Sequence, residues 1–112
     1  MPVMVFYKDK SISDKVAADV TQAVADVTDV VLDAKIEIRV IEPTQSFNAN
    51  EVHIEMRFRD FKEWDDEALQ QYHDRIMTAI GDVLKSHAVS CQYSFYIVPS
   101  LPPRSIWAQN KV

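Results

Sequence analysis

With 112 residues, 47% hydrophobic and 26% charged, the chain suits one globular domain with one modest core. Its formal net charge of -5 and scattered Lys and Arg argue against nucleic-acid binding, which depends on neutralising phosphates. The single glycine, Gly81, excludes Gly-rich phosphate loops, and no apolar run approaches the ~20 residues of a membrane span. We expect no signal peptide and, since Cys91 has no partner for an internal disulfide, a cytoplasmic location.

The first half of the chain has the pattern of a strand, a helix and a second strand. The apolar run 3–7 predicts a short β-strand, and Ser11, Ser13 and Asp14 offer capping chemistry for a helix. Apolar side chains then recur at helical spacing: Ile12, Val16, Val20, Ala23, Val24 and Val27. Residues 35–42 alternate between apolar and polar, which predicts a half-buried strand that ends at Pro43.

The second half repeats that order. Residues 52–59 alternate most clearly, with apolar side chains on one face and polar ones on the other: His53, Glu55, Arg57 and Arg59. Acidic residues from Asp65 onward suit the start of a helix. Its predicted apolar stripe is Leu69, Ile76, Met77, Ile80, Val83 and Leu84. Residues 90–98 read as a last strand that ends at Pro99, and the tail 104–112 carries Trp107 and is expected to pack.

The order of elements predicts an α+β fold built from a duplicated βαβ unit. We expect one domain over residues 1–112, with pseudo-repeats 1–43 and 51–99. Right-handed crossovers make each unit a parallel pair, which gives a four-stranded mixed sheet with two helices on one face. Aligning the prolines that end the second strands places Arg39 opposite Phe95, so either the register differs by one or the duplication is imperfect. The polar sheet face is expected to be solvated, or to line an interface or channel in an oligomer.

Pro2 is the sharpest candidate for chemistry. Removal of Met1 would leave the Pro2 nitrogen as a free secondary amine at the end of a strand. An α-amino group titrates near pH ~7.7–8.0 and can act as a general base or a nucleophile at neutral pH. The alternative is that a proline at position two has no chemical role.

Several stretches together resemble the tautomerase superfamily, which includes 4-oxalocrotonate tautomerase, 5-carboxymethyl-2-hydroxymuconate isomerase and macrophage migration inhibitory factor. They are the opening MPVMVF, the second-strand segment IRVI, the last-strand segment YSFY and the tail IWAQN. The doubled βαβ unit and the arginines on the sheet face fit the same family. Shorter members have a Gly-rich hairpin after the second strand, whereas this chain has SFNAN at 46–50.

The resemblance implies a homotrimer in which three sheets form a barrel and the proline sites lie near subunit boundaries. It implies Pro2 as the base that moves a proton between carbon and oxygen of a small enol or 2-oxo carboxylate. Arg39 and Arg57 would bind the carboxylate and stabilise developing enolate charge. Tyr96 could donate a hydrogen bond to the oxyanion. No cofactor or metal is implied, because proton transfer by an amine needs neither.

Each candidate also has a purely structural explanation. The arginines could pair with Glu37 or Glu55, Tyr96 could serve sheet packing, and Phe47 and Trp107, candidate pocket walls, could be core residues. His53 and Glu55 are two metal-capable groups on one strand face, but two ligands do not make a site, and they read as a paired surface His and Glu. Cys91 reads as a small buried hydrophobe. Two readings from other classes stay open: an inactive tautomerase-like protein that binds a ligand or partner, and a ferredoxin-like domain, which shares the βαββαβ order and commonly forms dimers.

Overall fold

Six elements follow one another in the predicted order. The computed structural model describes residues 3–32, 36–43, 51–58 and 65–99. The elements are β1 (Val3–Lys8), α1 (Asp14–Leu32), β2 (Glu37–Ile41), β3 (Val52–Phe58), α2 (Asp66–Ser86) and β4 (Tyr93–Pro99). Pro2, Phe47, Arg59 and the tail with Trp107 lie outside the described residues.

The strands form one mixed sheet in the order β2-β1-β3-β4. β1 and β2 are parallel, β3 and β4 are parallel, and β1 pairs with β3 in the antiparallel sense. Both strands of each βαβ unit are therefore neighbours, whereas the ferredoxin-like fold is a split βαβ arrangement. The predicted α+β class is confirmed and the ferredoxin-like alternative is wrong.

Both helices cover the same face of the sheet, because alternate strand residues and one stripe of each helix share a single core. The strands contribute Met4, Phe6, Val52, Ile54, Met56 and Phe95. The helices contribute Val16, Val20, Val24, Tyr72, Ile76, Ile80 and Leu84. Burial of each large apolar side chain stabilises the fold by roughly 1.5–3 kcal/mol. One polar pair lies inside this core, where the hydroxyls of Thr28 and Tyr72 are 2.7 Å apart.

Local capping fixes where each helix begins. The Ser13 hydroxyl accepts the N–H of Val16 at 3.2 Å, and the Asp65 carboxylate accepts the N–H of Ala68 at 2.8 Å. These bonds satisfy amide groups that have no partner inside the helix. α2 ends at Ser86 and is capped by His87, whose N–H donates to the carbonyl of Val83.

The prediction that β2 is half-buried is wrong for the single chain. All five of its residues are exposed, and Ile38, Val40 and Ile41 retain 38%, 48% and 41% of their accessible surface. Among the described strands, β2 is an edge strand that pairs only with β1. Its apolar side chains therefore lack the cover that the alternating pattern had implied. No described helix is long and apolar enough to cross a membrane.

Candidate functional site

Three cross-strand rows of side chains form the sheet face that the helices leave open. Residues paired across neighbouring strands point to the same face. The rows, each read from β2 to β4, are Glu37–Val3–Arg57–Val98, Arg39–Val5–Glu55–Tyr96 and Ile41–Tyr7–His53–Ser94. We call this surface the open face.

Arg57 is a residue of β3 that lies beside the first residue of β1. Its Cα is the antiparallel partner of Val3, the residue that follows Pro2 in the chain. The Arg57 guanidinium donates to the Glu55 carboxylate at 3.1 Å, and its side chain keeps 48% of its exposure. A half-exposed arginine is therefore held beside the first described residue of β1.

Arg39 flanks β1 from the other side. It is the β2 partner of Val5, so it sits one row further along β1 than Arg57. Since β2 and β3 are each ~4.8 Å from β1, the backbones of the two arginines are at least ~10 Å apart across the sheet. Arg39 donates to Glu37 at 3.1 Å in an exposed ion pair. The structure thus brings both predicted arginines to one face of β1.

Tyr96 belongs to a different part of the open face. It is the β4 partner of Glu55, two strands away from β1, and is 57% exposed. Its ring centroid lies 5.2 Å from that of His53. Within one chain, the structure therefore groups Tyr96 with His53 and not with the end of β1.

His53 is the centre of a hydrogen-bonded cluster that sequence reasoning resolved only in part. Its Nδ1 lies 2.7 Å from the Ser94 hydroxyl and its Nε2 lies 3.3 Å from the Glu55 carboxylate. The predicted His53–Glu55 pair is confirmed, but His53 is only 8% exposed, and the contact with Ser94 was not foreseen. The signal that could have found it is the period of β4, which places Ser94 and Tyr96 on one face.

Glu55 connects this cluster to Arg57. Partial burial opposes its ionisation, but hydrogen bonds from Arg57 and His53 outweigh that effect and lower its pKa below the ordinary value. Glu55 is therefore a carboxylate at neutral pH. It accepts from Arg57 with one oxygen and approaches His53 with the other.

The remaining candidates do not form a second site of this kind. His73 bonds the carbonyl of Phe95 at 3.1 Å beside a shallow cleft of about 350 Å³, and His87 bonds Asp19 at 2.7 Å. Burial, with the nearby charge of Glu51, raises the pKa of the Cys91 thiol and disfavours its nucleophilic form. Among the described residues, no three metal-binding side chains converge.

Neither a protein-family model nor a curated protein matches the sequence. Solved structures do match its fold. A 5-carboxymethyl-2-hydroxymuconate isomerase from Deinococcus radiodurans R1 has a TM-score of 0.65 at 12% identity, covering 98% of this chain and 88% of that one. A fused 4-oxalocrotonate tautomerase, described as an asymmetric trimer, has a TM-score of 0.62 at 13% identity, covering 90% and 86%.

A third similar structure has no assigned activity. It is a domain of unknown function from Sebaldella termitidis ATCC 33386, with a TM-score of 0.55 at 19% identity, covering 100% of this chain and 98% of that one. The chain therefore has the fold of the tautomerase superfamily, and the resemblance noted in the sequence is confirmed at the level of the fold.

Proposed function

We propose that the protein is a tautomerase-type isomerase that uses Pro2 as a general base on a small enol or 2-oxo carboxylate. The observation that carries the proposal is the pairing of Arg57 with Val3, the residue next to Pro2 in the chain. It sets a half-exposed cation beside the strand end from which the Pro2 amine would act. The named activities of the isomerase and tautomerase with the same fold give independent support.

In the proposed reaction the neutral Pro2 amine takes a proton from the substrate and returns it at another atom. The enol O–H is broken and a C–H bond is formed, so a ketone results with no change in oxidation state. Arg57 binds the substrate carboxylate, and Arg39, on the other side of β1, stabilises the developing enolate. Both cations also favour the neutral form of the Pro2 amine, which is the form a base requires.

The glutamates that hold both arginines are compatible with this role. Exposed ion pairs such as Arg39–Glu37 contribute only ~0–1 kcal/mol, whereas hydrogen bonds between charged groups are among the stronger ones. A substrate carboxylate can therefore replace a glutamate at modest cost. Glu37 and Glu55 would then keep the arginines extended until the substrate arrives.

Assembly as a homotrimer is part of the proposal. In the part of the chain that the structure describes, both edges of the sheet are unpaired, and β2 exposes Ile38, Val40 and Ile41. Packing of these edges between copies would bury that surface and would allow Tyr96 to reach a site in a neighbouring copy. Light scattering should then report about three times the chain mass of 12.9 kDa.

A cytoplasmic location, suggested by the lone Cys91, belongs to the same proposal.

Ketonisation of 2-hydroxymuconate, followed by ultraviolet absorbance, tests the activity. The enzyme should be a sample whose mass shows that Met1 has been removed, compared with Pro2→Ala. We expect turnover that falls by ~10²-fold or more in the variant, as is typical when a positioned base is lost. Equal slow rates in both proteins would contradict the role of Pro2.

A tautomerase-like protein that binds a ligand or partner without turnover is the second candidate. Two observations favour it: both arginines of the open face are already paired with glutamates, and a domain of unknown function has the same fold. This candidate predicts that carboxylate ligands bind equally well to wild type and Pro2→Ala, with no product from either. Calorimetry with a saturated dicarboxylate, which cannot tautomerise, measures the binding, and the presence or absence of ketonised 2-hydroxymuconate in the absorbance assay distinguishes the two candidates.

A further inference from the structure

Ser94, His53 and Glu55 form a hydrogen-bonded series of the kind that activates a serine. The Ser94 hydroxyl lies 2.7 Å from His53 Nδ1, and His53 Nε2 lies 3.3 Å from a Glu55 oxygen. A nucleophile within hydrogen-bond reach of a base, with the base oriented by a third group, is the general signature of a serine triad. The signature is defined by geometry and not by chain order.

The proton positions follow from the partners of the imidazole. A carboxylate only accepts hydrogen bonds, so the bond to Glu55 requires a proton on His53 Nε2. In the neutral ring Nδ1 is then an acceptor, and the Ser94 hydroxyl must donate to it. This is the tautomer in which the ring can remove the proton of Ser94.

The surroundings fix this arrangement. Arg57 holds the second oxygen of Glu55 at 3.1 Å and favours its charged form. His53 is 8% exposed, and its ring centroid lies 5.7 Å from that of Tyr7 and 5.2 Å from that of Tyr96. The base is therefore confined in place, while Ser94 keeps partial exposure on the open face of the single chain.

We propose that Ser94 is an activated nucleophile that accepts acyl groups from small activated esters. The Ser94 Oγ attacks the ester carbonyl carbon while its proton passes to His53 Nδ1. The bond to the alkoxide leaving group then breaks, and that group takes the proton from His53 and departs as an alcohol. The product is an ester on Ser94, which water would cleave to a carboxylic acid with His53 again as the base.

The reacting groups of this site differ from those of the proposed tautomerase chemistry, although Glu55 also pairs with Arg57. The site needs no contribution from Pro2, and its nucleophile lies on β4 in the row that begins with Ile41 and not in the row of Val3 and Arg57. Ser86 provides a comparison for Ser94 within the same chain. Ser86 is more exposed than Ser94, but its hydroxyl donates to the carbonyl of Val83 and no base contacts it in the described structure.

p-Nitrophenyl acetate is the probe. We expect release of p-nitrophenol, a mass increase of one acetyl group, and peptide mapping of that group to Ser94 and not to Ser86. Glu55→Gln is the informative variant, because an amide nitrogen can donate to Nε2 and so stabilise the ring tautomer whose Nδ1 carries the proton. It should lower the rate of Ser94 acylation by ~10²-fold or more, and His53→Asn should do the same.

Two results would overturn the proposal. One is that the acetyl group maps to other residues of the chain and not to Ser94. The other is that Ser94 is acetylated in Glu55→Gln at the same rate as in wild type. Circular dichroism and thermal melting are recorded for each variant, so that a loss of label is counted only in folded protein. Should Glu55→Gln fail to fold, Ser94→Cys with iodoacetamide replaces it. Alkylation of that thiol no faster than alkylation of a Ser86→Cys thiol would equally overturn the proposal.

Discussion

Val3 and Arg57 are direct partners across the antiparallel β1–β3 pair. This register brings an arginine that is 54 positions away in the sequence to the beginning of the first strand. Glu55, two residues earlier on β3, holds the guanidinium at 3.1 Å. Along one face of the sheet, Arg57, which is proposed to bind the substrate carboxylate, therefore connects the strand that follows Pro2 to the His53 cluster.

Replacement of Arg57 should impair catalysis more than replacement of Arg39. Arg57→Ala is expected to lower kcat/KM for 2-hydroxymuconate ketonisation by ~10²–10³-fold, the range found when one charge-stabilising donor is removed. Arg39→Ala should have a smaller effect, because Arg39 lies in the row of Val5 and not of Val3. Steady-state kinetics measure both variants.

Arg75→Ala is the matched control, since Arg75 is an exposed arginine of α2 and lies on the other side of the sheet from the open face. It should leave kcat/KM within about twofold of wild type. If the Arg57 and Arg75 variants were equally active, the assignment of Arg57 to the substrate would be wrong.

Alkaline solution should destabilise the fold through Tyr72. Burial raises the pKa of Tyr72 to about 12 from an ordinary value of 10.0, although the bond with Thr28 opposes the shift. Because the folded pKa is the higher one, the stabilisation is complete below pH ~10 and is lost as the pH rises toward 12. At ~1.36 kcal/mol per pKa unit, the free energy of unfolding falls by about 2–3 kcal/mol.

Urea unfolding at pH 9 to 12 measures how the free energy of unfolding falls as the pH rises. Tyr72→Phe has no phenol to ionise, so the difference between wild type and variant isolates Tyr72 from other groups that titrate in the same range. Parallel curves for the two proteins would contradict the prediction.

Gly81 and Tyr93 should be energetically coupled. A Cβ built at Gly81 would lie 2.7 Å from the Tyr93 hydroxyl oxygen, which is too close, but 3.4 Å from the ring carbon that bears it. Gly81→Ala should therefore be more favourable in a Tyr93→Phe background than in wild type. Since alanine favours helix by roughly 0.8–1.0 kcal/mol over glycine, the double variant should exceed Tyr93→Phe in stability.

A double-mutant cycle of thermal or urea unfolding gives the coupling energy directly. We expect a value of order 1 kcal/mol, with the single Gly81→Ala change the least favourable step of the cycle. Additive effects would show that the helix and β4 do not approach as closely as described.

The contact between Asp19 and His87 should make the stability of the fold depend on pH in the acidic range. The hydrogen bond from His87 at 2.7 Å is the largest influence that lowers the pKa of Asp19 below its ordinary value of 3.8. A lowered folded pKa gives stabilisation that is present above 3.8 and is lost as the pH falls through the folded value. Asp19→Asn should therefore reduce the melting temperature at pH 7, and the difference should shrink below pH ~4.

Lys15→Gln provides the comparison for Asp19, because Lys15 is the more exposed and more distant of its two partners, at 3.7 Å. This change should have little effect at either pH. A melting temperature of Asp19→Asn equal to that of wild type at pH 7 would contradict the predicted role of the contact.

The elements could be predicted because they depend on local chemistry. Ser13, one of three predicted capping residues, caps α1, and Asp65, expected only to suit the start of α2 by its charge, caps that helix with its side chain. The alternation of residues 52–59 marks β3 without knowledge of its neighbours. The pairing shows which residues of β2 and β4 share a face of the sheet. Ile38 pairs with Met4 and Phe95 pairs with Ile54, both on the side of the helices. Arg39 therefore shares the open face with Tyr96 and not with Phe95.

What could not be predicted depends on strands that are distant in sequence. The exposure of Ile38 and Val40 follows from the edge position of β2, which no pattern within β2 reveals. The contact of Ser94 with His53 requires the register of β3 with β4, and the grouping of Tyr96 with His53 follows from the same register. The roles of Pro2, Arg39, Arg57 and Tyr96, and the pseudo-repeats 1–43 and 51–99, stay predictions.

The most direct measurement compares two forms of the same chain that differ only at the amino terminus: one with Met1 removed and one with Met1 retained. Every side chain from Pro2 onward is identical, but the Pro2 nitrogen is a basic amine in the first form and a non-basic amide in the second. We predict ketonisation of 2-hydroxymuconate by the Met1-free protein alone, with equal melting temperatures for both forms. Equal turnover by the two forms would contradict the central claim that the Pro2 amine is the base.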